Sequence, residues 1–184
     1  MENNPVSPWK ANLSSGIFLG LLLVAFSLIV YFADLMFVKW VNAISYLIYI
    51  AGLFYGIRAY RHNYLGGSLT YGQGVGAAVI ISLYAGVITG LYSFVLYTYI
   101  DPDLPARILD QSRQLLLEKG MPEAQVESSL RISKIFVQGW VTGLMSIVGS
   151  LMIGTVIGLI LSIFLKNESG DPFAGVEDEK TGTE

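Results

Sequence analysis

Two carboxylates flank a proline in the sequence YIDPDL, residues 99–104. A pair such as Asp101 and Asp103 could share a proton in acid–base catalysis or supply two ligands to a metal ion. The pair lies where an apolar segment gives way to a polar one, and carboxylates at such a junction are typical of a helix end followed by an N-cap. We therefore predict that Asp101 and Asp103 separate two helices and hold no metal.

Other residues with chemical potential lack partners in the sequence. The chain has one histidine, His62, and no cysteine, so nothing completes a zinc site or a catalytic triad. GQGVG at residues 72–76 lacks the lysine and the preceding strand of a phosphate-binding loop, and it is interpreted as helix packing. We expect no catalytic activity, no metal and no cofactor. A net charge of −3 also disfavours nucleic acid as a partner.

Four long stretches without charged residues make up most of the remaining sequence. Hydrophobic residues make up 53% of the chain and charged residues only 14%. Each run is long enough to cross a hydrocarbon core of about 30 Å as a helix. Together with their flanks, they predict membrane helices at residues 14–33, 41–57, 71–100 and 135–165.

The predicted fold class is all-α: a four-helix transmembrane bundle with an extramembrane amphipathic αα-hairpin between the third and fourth helices. A polar lead occupies residues 1–13, and the membrane domain occupies residues 14–165, with the hairpin at residues 101–134. Residues 166–184 form an acidic tail that has little to bury and is predicted to be disordered.

The hairpin prediction depends on helix start and stop signals. Asp103 is the expected N-cap of the first arm, and Gly120 is expected to end it in the left-handed conformation. Pro122 then restarts a second arm, which we expect to run without a break into the fourth membrane helix. Charged residues fall on the face opposite the leucines and form a candidate partner surface: Arg107, Asp110, Arg113, Glu118, Glu123 and Glu127.

Small residues recur every four positions in the third and fourth membrane helices. Such ridges let two backbones approach closely in lipid, where little hydrophobic force joins helices. Two readings remain open: the ridges pack the bundle internally, or one ridge faces a second copy or a partner subunit. The residues of the two ridges are Gly74, Ala78, Ser82, Gly86 and Gly90, and Ser146, Ser150, Gly154, Gly158 and Ser162.

Polarity inside the membrane segments is confined to amides and hydroxyls. Ion-coupled transporters and pumps normally carry ionisable residues at mid-depth, and these segments have none. Hydroxyls in membrane helices usually bond to their own backbone or to a neighbouring helix. The remaining interpretation is a narrow pore lined by hydroxyls such as those of Ser82 and Ser146.

Three stretches together resemble a known family: SLTYGQGVG opening a membrane helix, YIDPDL closing it, and LEKGMPEAQVE after it. Over roughly residues 10–165, the chain resembles the bacterial four-helix integral membrane family catalogued as domain of unknown function 4199. Members typically have a serine-like cap where this chain has Met121 and Pro122. The resemblance implies the topology and no activity.

These observations favour a non-catalytic scaffold or accessory subunit that assembles through its small-residue faces and the hairpin. The alternative is an oligomeric passive channel or small-solute permease. The expected partners are membrane lipid and either a second copy or other membrane-protein subunits. We expect a bacterial inner-membrane location, with cytoplasmic termini because Arg58 and Arg61 follow the second helix without nearby acids.

Overall fold

The computed structural model describes residues 6–36 and 38–167, and the all-α prediction is confirmed there. Apart from a single antiparallel bridge between Leu69 and Asn167, the regular structure of these residues is helical. The helices are α1 (Pro8–Phe32), α2 (Lys39–Tyr64), α3 (Tyr71–Val95, continued by a π-helical turn at Leu96–Ile100), α4 (Leu104–Glu118), α5 (Glu123–Phe136) and α6 (Gly139–Leu165).

Four of these helices are long and apolar enough to cross a membrane: α1, α2, α3 with its π turn, and α6. Their outward faces carry large apolar side chains that water would solvate poorly. Phe32 and Phe164 are 80% and 77% exposed, and Met152 is 67% exposed. Lipid is the solvent that suits such surfaces, so the chain is an integral membrane protein.

Helix α3 lies at the centre of the fold and contacts α1, α2 and α6. Its most extensive contact is with α6, followed by its contact with α1. The buried apolar cluster includes Leu19 of α1, Leu53 and Ile57 of α2, and Ile81 and Ala85 of α3. The small-residue ridge of α3 therefore faces one neighbour while its other faces pack against two more.

Two helices extend beyond their predicted bounds at the water-facing ends. Helix α1 begins at Pro8 rather than residue 14, and α2 continues to Tyr64 rather than ending at residue 57. Arg58 and Arg61, predicted to lie in a loop, are therefore helical. The charged residues end the apolar run of the second segment, but helix α2 continues through them. The chain turns only at Gly66 and Gly67, whose φ angles of 61° and 94° favour glycine.

The prediction that the second hairpin arm runs unbroken into the last membrane helix is wrong. Helix α5 ends at Phe136, Gln138 is extended with φ −68° and ψ 135°, and α6 begins at Gly139. The Gln138 carbonyl accepts the first backbone hydrogen bond of α6, from the Thr142 N–H over 2.8 Å. The Thr142 hydroxyl lies 3.0 Å from the Phe136 carbonyl oxygen, so it can donate to the carbonyl at the end of α5. A Cβ at residue 139 would collide with Thr98 in the π turn, so glycine lets the start of α6 approach α3.

The turn between α4 and α5 follows its predicted chemistry. Gly120 has the left-handed φ of 77°. Its N–H donates to the Leu117 carbonyl, and the Met121 N–H donates to the Leu116 carbonyl, which together form a Schellman motif. Helices α4 and α5 contact each other after this turn. Of the predicted acidic tail, residues 166–184, only Lys166 and Asn167 are described, and Asn167 forms the bridge to Leu69; residues 168–184 lie outside the described residues.

Candidate functional site

The two small-residue ridges meet along the interface between α3 and α6, here called the α3–α6 seam. A Cβ added to Gly74 would meet Ser162, and one added to Gly158 would meet Ala78. Moving four residues along α3 thus corresponds to moving four residues back along α6. Because both ridges repeat every four residues, each winds around its helix by the same angle per step. The two ridges therefore stay in contact over the whole length of the seam.

The same alternation continues through the middle of the membrane segment. A Cβ at Gly86 would lie 2.9 Å from the Cβ of Ser150, and one at Gly154 would collide with Ser82. Gly90 and Gly143 face each other, each approaching the other's carbonyl oxygen. Ser146 lies beside this pair, with its Oγ 3.4 Å from that of Ser93. All ten predicted ridge residues therefore lie in or beside the seam.

Glycine pairs of α1 and α2 occupy other interfaces. Gly16 and Gly20 of α1 pack against Tyr84 and Ile88 of α3, and Gly52 of α2 packs against Leu19 of α1. Other glycines face open space, with nothing near the position of an added Cβ: Gly72, Gly76 and Gly149.

A polar node joins three membrane helices inside the bundle. The Ser150 hydroxyl of α6 donates to the Ser82 carbonyl of α3 over 2.8 Å. The Tyr49 hydroxyl of α2 donates to the Ser150 carbonyl, also over 2.8 Å. Sequence reasoning missed Tyr49, although a tyrosine at mid-span usually indicates a buried hydrogen-bond partner. This node orients α2 against the seam.

A second polar cluster lies at the end of the bundle where α1 and α3 finish. Asp101 accepts a hydrogen bond from the Tyr31 hydroxyl over 3.0 Å and forms an ion pair with Arg107 of α4. Its side chain is only 13% exposed. Asp103 occupies the N-cap position without a side-chain capping bond, so this part of the capping prediction is wrong. The ion pair with Arg107 and the hydrogen bond from Tyr31 hold Asp101 at the junction.

An open cavity of about 580 Å³ adjoins this cluster. Its wall includes Asp34, which has a φ of 54° that non-glycine residues rarely adopt. Within residues 6–36 and 38–167, no three His, Cys, Asp or Glu side chains are placed to hold a metal ion. The contacts of Asp101 with Tyr31 and Arg107 therefore join α1, the end of α3 and α4. These three residues are here called the Asp101 latch.

The candidate partner surface is exposed, but three of its six members are engaged within the chain. Arg107 belongs to the Asp101 latch. Arg113 of α4 pairs with Glu123 of α5 over 3.1 Å and ties the two helices together. The other members are exposed and make no ion pair among the described residues: Asp110, Glu118 and Glu127.

Between α4 and α5 lies a cleft of about 390 Å³, here called the α4–α5 cleft. Leu109 and Leu130 supply its apolar surface. Its charged rim consists of Asp110, Arg113, Glu127, Arg131 and Lys134. An apolar floor with a mixed-charge rim is the general anatomy of a protein-binding surface.

The comparison with known protein families shows to which family the chain belongs. The family model described as "Protein of unknown function (DUF4199)" matches residues 14–167. The chain belongs to this family. No curated protein and no solved structure matches the chain.

The three stretches that resemble DUF4199 lie at structural transitions. SLTYGQGVG spans the start of α3, where Thr70 and Gln73 form a capping box through bonds of 3.3 and 3.0 Å. YIDPDL contains the Asp101 latch, and LEKGMPEAQVE contains the Schellman turn. The Thr-x-x-Gln spacing could have been read from the sequence as this cap.

Proposed function

We propose that this DUF4199 protein is a non-catalytic membrane interaction protein, a scaffold or accessory subunit that binds another polypeptide through α4 and α5. The α4–α5 cleft carries this proposal, because it combines the half-buried leucines Leu109 and Leu130 with exposed charges of both signs. Groups of this kind recognise a protein surface, whereas a catalytic site would need a nucleophile with a positioned base.

Contacts among α1, α2, α3 and α6 hold the bundle together without α4 and α5. The seam and the Tyr49 node join α2, α3 and α6, and α1 packs on α3 through its glycines. Helix α5 has only limited contact with α6. A charged helix pair that contributes little to the bundle is suited to recognition outside the bilayer.

The proposed location is the inner membrane of a bacterium, with α4 and α5 on the outer side. Arg61 supports this orientation, because its guanidinium donates to the Leu165 carbonyl at the end of α6. The end of α6 is thus held beside the basic end of α2, and the start of α1 lies on the same side because Ser15 packs on Gly56. Basic residues favour the cytoplasmic side.

A channel requires hydroxyls that face a lumen. In a single chain, Ser82 is fully buried against the seam and Ser146 donates to the Thr142 carbonyl over 2.9 Å. The Ser82 side chain is therefore packed between α3 and α6, and the Ser146 hydroxyl is bonded within its own helix, so we favour the interaction role.

Charge reversal in the α4–α5 cleft tests this function. Glu127→Lys changes the rim, and Gln114→Lys introduces the same side chain at an exposed position of α4 outside the cleft. We expect a polypeptide that co-purifies with the wild-type protein to remain with Gln114→Lys and to be lost with Glu127→Lys. Equal retention by both variants would contradict binding through the cleft.

A further inference from the structure

The surface between α1 and α2 contains an open groove of about 550 Å³, here called the α1–α2 groove. Its floor includes Ser15 and Gly56, which face each other: a Cβ on Gly56 would lie 3.3 Å from that of Ser15. Phe18 and Tyr55 line it and are 68% and 69% exposed. The groove is therefore deep because its floor residues are small and its flanking residues are large.

The antiparallel register of the two helices places basic residues at one end of this groove. Leu19 packs on Gly52, and Ser15 packs on Gly56. Continuing this register towards the start of α1 brings Lys10 level with the last two turns of α2. Lys10 lies one turn before Ser14, a lining residue, so it continues the groove's own face of α1.

Helix α2 extends the groove in the same direction. Ala51 and Tyr55 line it, and helical spacing places Arg58 and His62 next along the same face. Lys10, Arg58 and His62 are all exposed. Neither ion pair found among the described residues involves them.

We propose that the α1–α2 groove binds an acyl chain of an anionic phospholipid and that Lys10 and Arg58 hold its phosphate headgroup. The groove is lined mainly by apolar residues along residues 14–22 of α1 and 48–59 of α2, and cationic residues continue it at its water-facing end. This polarity matches that of an anionic phospholipid. Basic residues between membrane helices recognise anionic headgroups through this arrangement. This site is separate from the α4–α5 cleft and does not depend on the proposed function.

The first test measures lipid retention by native mass spectrometry of the full chain in detergent. Phosphatidylglycerol and phosphatidylcholine with the same acyl chains are the two probes. We expect preferential retention of phosphatidylglycerol and about fivefold weaker retention by Arg58→Gln, since a basic residue near a headgroup contributes about 1 kcal/mol. Lys119→Gln, which removes an exposed cation from the turn between α4 and α5, should retain the lipid as the wild type does.

The second test fills the groove. Ala51→Leu places a larger side chain at an exposed lining position, and Ala43→Leu makes the same change on α2 outside the groove. We expect loss of the bound lipid only with Ala51→Leu. Equal retention of both lipids, or unchanged retention by Arg58→Gln and Ala51→Leu, would overturn the proposal. A change in the number of polypeptide copies with Ala51→Leu would also overturn it, because the groove would then be an interface between copies.

Discussion

At the scale of single residues, the α3–α6 seam depends on side chains small enough for two backbones to meet. Gly154 illustrates the constraint, because an added Cβ would collide with the Ser82 side chain and lie 2.8 Å from the Tyr49 hydroxyl oxygen. Gly149 lies on the same helix and faces open space. The two glycines therefore have different roles despite the same residue type.

Replacing each of these glycines with alanine separates the effect of packing on the free energy of unfolding from the effect of helix propensity. We expect Gly154→Ala to lower the free energy of unfolding by about 1–3 kcal/mol, the usual cost of overpacking a close contact. Gly149→Ala should leave it unchanged or raise it slightly, because alanine favours the helix. Unfolding in mixed micelles with increasing SDS measures both. Equal effects of the two substitutions would contradict the assigned packing.

The spacing of these small residues was readable from the sequence because a ridge needs only a repeat of four. Tyr49 was not readable as part of the node. Its hydrogen-bond acceptor lies on Ser150, 101 residues away along the chain. No local pattern reports a contact formed by folding at that separation.

At the scale of elements, the Asp101 latch connects the end of α1, the π turn after α3 and the first turn of α4. Tyr31 and Arg107 both direct hydrogen bonds at the same carboxylate. The stop and start of helices at this junction were predictable from YIDPDL. The contact with Tyr31 was not, because it joins residues 70 positions apart.

Removing the Asp101 carboxylate should loosen α4. We expect Asp101→Ala to cost about 1 kcal/mol, since the Arg107 side chain is 53% exposed and water screens the pair. Hydrogen–deuterium exchange across residues 104–118 should then be about fivefold faster. Asp103→Ala is the matched control, because that side chain is exposed and makes no capping bond. The same acceleration in both variants would contradict the latch.

The break between α5 and α6 shows a limit of sequence reasoning at this scale. Neither a proline nor a charge marks Gln138, and the stretch reads as a continuing helix. The break instead depends on the Thr142 hydroxyl and on the close approach of Gly139 to Thr98, which belong to tertiary packing.

At the scale of the whole molecule, the number of membrane helices followed from composition, whereas their arrangement did not. Every membrane segment is apolar on most faces, so hydropathy did not indicate that α3 is the central helix. That arrangement brings the start of α1, the end of α2 and the end of α6 to one side, and the latch and α4 to the other.

Introduced cysteines test the proposed orientation, since the chain has none of its own. Gln114→Cys lies in α4, and Ser68→Cys lies between α2 and α3; both positions are exposed. We expect a membrane-impermeant maleimide to label Gln114→Cys in intact cells and Ser68→Cys only after permeabilisation. The reverse pattern would contradict the orientation, and labelling of both in intact cells would contradict the predicted number of crossings.

We propose that this DUF4199 protein works by assembling with other polypeptides. Native mass spectrometry of the tagged chain, extracted gently from its own membrane, tests this claim most directly. We expect a second polypeptide at fixed stoichiometry or a closed assembly of copies. Single chains carrying only lipid, under conditions that preserve known membrane complexes of the same cells, would contradict it.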